Sequence, residues 1–293
     1  MNNPRHTLLL AAAVGALLAV PAAAQAAPVD RTGDAAAPTA RTAGEPQGIV
    51  GGSKAREGAY PWIVRLEVQY RSQVAYLCGG TLISQDIVLT SQQCLAEVPK
   101  QGKPTRITAY IGKVDHKDAA EDRAVRQGAE YSLGKGVGNG DWAVVQLDKP
   151  FKARSYPLLP LDEGYDETEE VRALGWGRTE LDAQLPSALR QVDLPIVTGR
   201  ACARNADVEI CAGDPRAADV GVCAGDQGGP LLAAEDAAGR AADWVQVGIT
   251  SQVDCAQKNQ VGHFTRVSAF TRKIQAAIVL IDGSPAQTID TEG

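Results

Sequence analysis

The sequence predicts an all-β protein closed by one C-terminal α-helix, and three observations point there. Short apolar segments rich in Val, Ile and Leu recur from Ile49 onward between Gly, Pro and Asp, the pattern of a sandwich or barrel. Helical periodicity is scarce before residue 268. The 293 residues, 44% hydrophobic and 22% charged, give room for a large domain with an ordinary globular balance.

In chain order, residues 1–26 read as a secretory signal peptide. Arg5 supplies the positive start, Leu8 to Val20 is an apolar run short for a bilayer, and Ala24-Gln25-Ala26 is a small-x-small cleavage site. Residues 27–48 mix Ala, Pro, Thr, Gly and scattered charge without any period, as a disordered leader or propeptide does. The folded domain is expected over 49–282. Its strand segments are Trp62 to Val68, Thr81 to Thr90, Thr105 to Gly112, Trp142 to Leu147, Val171 to Gly175, Gln191 to Val197 and Trp244 to Thr250. Phe270, Ile274, Ala277, Ile278 and Ile281 recur at the spacing of one helix face, so a helix is expected over Phe270 to Ile281, capped by Ser268 and stopped by Gly283. A flexible tail, 283–293, follows.

The net charge of −6 and pI near 5.2, with no basic stripe, argue against a nucleic-acid partner. Once the signal is removed no membrane association is expected, and the partner class left is a protein or peptide. The acidic run Asp162 to Glu170 reads as a solvated loop. Asp115, Asp118, Glu121 and Asp122 group oxygen ligands of the kind Ca²⁺ takes, but without EF-hand spacing, so neither metal nor cofactor is expected. Six cysteines, all beyond residue 77, form the even set of an exported chain, and their spacing alone leaves the pairing open.

The chemistry lies in a series of motifs. They are Ile49-Val50-Gly51-Gly52, Cys78-Gly79-Gly80-Thr81-Leu82-Ile83-Ser84, Ile87 to Thr90 running into Cys94, Asp141-Trp142-Ala143, Gly175-Trp176-Gly177, Ile210-Cys211-Ala212-Gly213, Gly225-Asp226-Gln227-Gly228-Gly229-Pro230 and Cys255-Ala256-Gln257-Lys258-Asn259. In order and spacing this set resembles the chymotrypsin/trypsin family of secreted serine proteases, in its bacterial trypsin-like form, from Ile49 to about Ile281. The resemblance implies two six-stranded antiparallel β-barrels with the active site in the cleft between them, and a C-terminal helix. It also implies the bridges Cys78 to Cys94, Cys202 to Cys211 and Cys223 to Cys255, each stabilising by roughly 2 to 4 kcal/mol.

The family mechanism needs a hydroxyl nucleophile, an imidazole that takes and returns its proton, and a carboxylate that orients the imidazole. Where the family reads Ala-Ala-His-Cys this chain reads Ser91-Gln92-Gln93-Cys94, and where it reads Gly-Asp-Ser-Gly-Gly-Pro this chain has Gln227 in place of serine. Only the carboxylate, Asp141, is kept. A primary amide is not basic near neutral pH, although the Gln93 NH₂ can donate to Asp141 as an imidazole N–H would. Gln227 is not nucleophilic, and its longer side chain is expected to project into the space of a scissile carbonyl. His116, in a surface loop, and His263, near the specificity pocket, are not expected near Asp141.

By the same resemblance, the backbone N–H groups of Gly225 and Gln227 form an oxyanion hole, and Asp226 pairs with an amino terminus freed at Ile49. Gln47-Gly48 precedes Ile49, so that bond does not encode cleavage by a trypsin-like activator. The specificity-pocket positions are Gly221, where trypsins place an acid, Val253, at or beside a lining glycine, and Gly262. Selectivity for basic residues is therefore not expected. The resulting expectation is a secreted, proteolytically inactive homologue acting as a binding or regulatory module, against a hydrolase of low or unconventional activity or a purely structural or decoy protein.

Overall fold

The computed structural model describes residues 49–71, 75–121, 124–179, 184–202, 205–216, 220–234, 244–253, 255, 257 and 261–291. The signal peptide and leader expected over 1–48 lie outside these residues. After the short β1 (Ser53–Lys54) come β2 (Ile63–Gln69), β3 (Ala75–Leu82), β4 (Ile87–Thr90), β5 (Arg106–Ile111), α1 (His116–Glu121), β6 (Val125–Leu133) and β7 (Ala143–Leu147). Strands β2 to β7 close into a six-stranded barrel in the order β2-β3-β4-β7-β6-β5. The stretch Thr81 to Thr90 is thus a hairpin: Ile83 N donates to Ile87 O and the chain turns at Ser84 to Asp86.

Then follow β8 (Leu159–Pro160), β9 (Glu170–Gly175), β10 (Arg190–Val197), β11 (Glu209–Ala212), β12 (Pro230–Ala234), β13 (Trp244–Gln252), β14 (Gly262–Arg266), α2 (Thr271–Leu280) and β15 (Thr288–Ile289). A second antiparallel ring runs β10-β11-β14-β13-β12-β9 and closes by β9 pairing with β10, while β1 adds to the outside of β10. Every ladder within the two rings is antiparallel, so the architecture is the expected pair of six-stranded barrels.

Each barrel fills itself with β-branched and aliphatic side chains. Val64, Leu66, Leu82, Val88, Ala109 and Val145 belong to the first core, and Val171, Ala173, Ile210, Leu231, Val247 and Phe264 to the second. Burying each of the larger aliphatic side chains stabilises by about 1.5–3 kcal/mol. The barrels meet where glycines let backbones touch. A Cβ on Gly79 of β3 would sit 2.6 Å from the Gly229 Cα, and Gly79 N donates to Gln227 O at 2.7 Å. That junction carries the site.

Helix α2 buries Thr271, Ile274, Ala277 and Ile278, with Ile274 and Ile278 packing in a cluster that includes Ile87, Leu89 and Val144 of the first barrel. Its ends differ from expectation. Ser268 does not cap it but donates to the Asp166 carboxylate at 3.1 Å, and Phe270 stands at the N-cap without a side-chain hydrogen bond. At the other end Asp282, not Gly283, takes the left-handed turn (φ 53°). Gly283 is needed for space, because a Cβ there would overlap the Ile87 side chain. The tail expected to be flexible is docked as far as Thr291. Strand β15 pairs in parallel with β8, Gln275 and Ala286 exchange two hydrogen bonds, and Thr291 N donates to Asp162 Oδ2 at 2.8 Å.

Candidate active site

Asp141 sits two residues before β7, fully buried. Hydroxyls and amides hold its carboxylate. Ser91 Oγ donates to both oxygens at 2.8 and 2.9 Å, Ser251 Oγ to Oδ2 at 2.6 Å, and Gln93 N to Oδ1 at 3.0 Å. The Gln93 side chain completes the set: Nε2 donates to Asp141 Oδ2 at 2.7 Å and to the Ser251 carbonyl at 2.6 Å. Gln93 is brought there by a 3-10 turn over Gln92–Cys94 that follows β4, and Ser91 at its N-cap accepts from Gln93 N. Both amide protons are therefore committed, one to the first barrel and one to β13 of the second. This fixed clasp has no lone pair on nitrogen for a proton.

Gln227 occupies the turn between Gly225 (φ 102°) and Gly228 (φ 81°), conformations that glycine adopts without a Cβ penalty. Its side chain does not simply extend into the cleft. Oε1 turns back and accepts from Gly225 N at 2.8 Å. The oxyanion hole expected from Gly225 and Gln227 is corrected accordingly, since one of its two donors already serves a carbonyl of the same loop.

Asp226 is fully buried, and its carboxylate accepts from Gly177 N at 2.6 Å and Cys223 N at 2.8 Å. Gly175 and Gly177 make room for it, because a Cβ on either would overlap the carboxyl. Burial pushes its pKa up to about 7, against the two backbone N–H bonds that lower it. Ile49, expected as its partner, is fully buried with φ 46°, in an uncut chain whose Ile49 nitrogen is a peptide nitrogen. Gly52 N donates to Ile49 O, and the next residue forms a bridge in which Gly221 N donates to Val50 O. The entry segment thus reaches the pocket wall with Ile49 inside the second-barrel core.

The three pocket positions converge on Val222. Gly221 precedes it, Cys255 N donates to its carbonyl at 3.0 Å, and a Cβ on Gly262 would sit 2.8 Å from its Cγ2. Gly221 brings no carboxylate, and Val253 is half-buried against the cluster containing Val222 and Phe264. All three bridges pair as the resemblance implied: Cys78 with Cys94, Cys202 with Cys211 and Cys223 with Cys255.

Neither histidine is among the partners of Asp141. His116 begins α1, near the Ser187 carbonyl and the Tyr110 ring, and burial lowers its pKa. His263 lies on β14, 3.7 Å from Glu209 Oε2. In the run Asp162 to Glu170, read as solvated, Asp166 is instead buried. It accepts from Arg266 Nη1 at 2.6 Å, and burial raises its pKa to about 6. Of the second acidic group, Asp115 accepts from Lys117 N at the start of α1, and Asp122 lies outside the described residues.

Two residues that hold Asp141 were not singled out as functional in the sequence. Ser91 stands in the quoted Ser91-Gln92-Gln93-Cys94 and Ser251 directly follows the segment Trp244 to Thr250, so a buried carboxylate in search of donors was the signal available.

The family model described as Trypsin matches residues 49–274. A protein named "Trypsin-like protease" from Streptomyces glaucescens is 30% identical over 281 residues, covering 93% of this chain and 98% of that protein. With the double barrel and the three bridges beside these two matches, the chain belongs to the trypsin family.

Proposed function

We propose that this chain is a secreted, proteolytically inactive member of the family that acts as a binding or regulatory module for a protein or peptide. The observation that carries the reading is the double substitution in its geometry. The Gln93 amide fills the place of the base and hydrogen-bonds Asp141, while the Gln227 carbonyl hydrogen-bonds the oxyanion donor Gly225 N. General-base catalysis needs a group that takes and returns a proton, and acyl transfer needs a nucleophile beside free oxyanion donors. Surrogates are poorly placed: the Ser91 and Ser251 hydroxyls are buried and donate to Asp141. Secretion is supported by the three bridges and by the absence, among the described residues, of any helix long and apolar enough to cross a membrane.

One observation favours the second reading, a hydrolase: the relative's name is that of a protease. That reading requires a nucleophile other than residue 227. The two separate on treatment with a fluorophosphonate, which phosphonylates activated serines, followed by intact mass. The expected result is no adduct. A stoichiometric adduct that maps to one serine would overturn the proposal.

A further inference from the structure

A cavity of about 660 Å³ opens between β1, the turn after it, β9, β10 and the start of β13. It shares no residue with the Gln93, Asp141 and Gln227 site. Although the protein carries a net charge of −6, this cavity is lined by four cations, Lys54, Arg56, Arg154 and Arg172, against one carboxylate, Glu57. Its volume lies within the roughly 300–1,000 Å³ of ordinary ligand sites.

The cations divide into two kinds. Arg172 is fixed: it makes a two-pronged bond to Asp193 at 2.6 and 2.9 Å, donates to the Tyr60 hydroxyl at 3.3 Å, and lies 5.2 Å from the centroid of the Trp244 ring. Tyr60 in turn donates to Gln191 Oε1 at 2.9 Å. This network makes a rigid aromatic wall, and the bond to Asp193 holds Arg172 above its ordinary pKa. Lys54, Arg56 and Arg154 are exposed, and none of their side chains makes an ion pair or hydrogen bond among the described residues. Gly58 (φ 76°) leaves space beside Arg154, whose Nη2 would be 3.1 Å from a Cβ placed there. Glu57 is already engaged, accepting from Val114 N at 3.2 Å and lying 3.9 Å from Lys113 Nζ.

We infer that this cavity binds an acidic peptide segment of a partner protein. The three free cations come from separate stretches, β1, the turn after it and the loop after β7, and the cavity is far larger than a single small anion. An extended chain rises about 3.3 Å per residue and so offers side chains on one face at about 6.6 Å intervals. Successive carboxylates can then meet different cations while the peptide backbone lies over the Tyr60 and Trp244 wall. The inference does not depend on what the catalytic cleft does.

The test is calorimetric titration of the purified full chain with hexaglutamate, with hexaglutamine and with inorganic phosphate. Hexaglutamate is expected to bind, hexaglutamine not. Affinity should fall about tenfold or more between 50 and 300 mM salt, because the contacts are exposed. It should fall about tenfold in Arg56→Glu/Arg154→Glu, and less in Arg56→Gln/Arg154→Gln. Both residues are exposed, so folding of the variants is checked simply by an unchanged melting temperature. Three outcomes would overturn the inference: no hexaglutamate binding, binding indifferent to the charge reversal, or phosphate binding as tightly as hexaglutamate at the same cations.

Discussion

Two glutamines set the chemistry at the scale of single residues, and they do so differently. In the proposed reading Gln93 stands where the family has an imidazole, as a group that donates but does not exchange protons, and Gln227 stands where it has the nucleophile, as an acceptor that closes on Gly225 N. Because triad members act as a unit, repairing one is expected to gain almost nothing. Gln93→His or Gln227→Ser alone should leave peptide turnover at background, whereas Gln93→His/Gln227→Ser in protein beginning at Ile49 should raise it by roughly 10³-fold or more, read by initial rates. Asp141 carries a structural load as well. Asp141→Ala leaves Ser91, Gln93 and Ser251 donors without their acceptor and should cost about 3 kcal/mol in urea unfolding, with Asp141→Asn milder because it keeps one acceptor. The hydrogen bond from the Gln93 amide to Asp141 was legible in the sequence. The closure of Gln227 onto Gly225 was not, since a side-chain rotamer at a tight turn follows from packing rather than from spacing.

At the scale of elements, burial, length and composition together decided which strands were legible. Strand β13 is buried over eight of its nine residues and was expected almost in full, whereas β6 has no buried residue, so its sequence carries no apolar signal. Strands β11, β12 and β14 are short, with four to five residues each, and each contains or adjoins a Gly or Pro that weakens the strand signal. Helix α2 was found by its 3.6-residue period, but its cap was not, because the Ser268 hydroxyl is drawn to Asp166 by tertiary structure. Docking of the tail depends on partners more than a hundred residues away, such as Asp162. The helix is expected to be a main stabiliser of the first barrel's outer face. Ile274→Ala, at a fully buried position, should cost about 2–5 kcal/mol, seen as a lower urea midpoint with unchanged slope.

Across the whole molecule, burial of acids makes stability depend on pH. Asp226 is raised to about 7 and Asp166 to about 6 from an ordinary 3.8. A folded pKa above the unfolded one means that the folded state binds the extra proton between those values. The stability these groups contribute is full below about pH 4 and is lost as pH rises through about 6 to 7. The uncut protein should therefore lose melting temperature from pH 5 to 8 by more than Asp226→Asn does. Protein cut to begin at Ile49 should lose less, if its new ammonium pairs with Asp226 as in the family. The proposed function rests on the absence of proteolysis, and the most direct measurement is exposure of purified protein beginning at Ile49 to a diverse peptide mixture, read by mass spectrometry beside Asp141→Asn. Identical peptide profiles for the two proteins are predicted. Cleavages present with the unaltered chain and missing with Asp141→Asn would contradict the account and assign catalysis to a nucleophile other than residue 227.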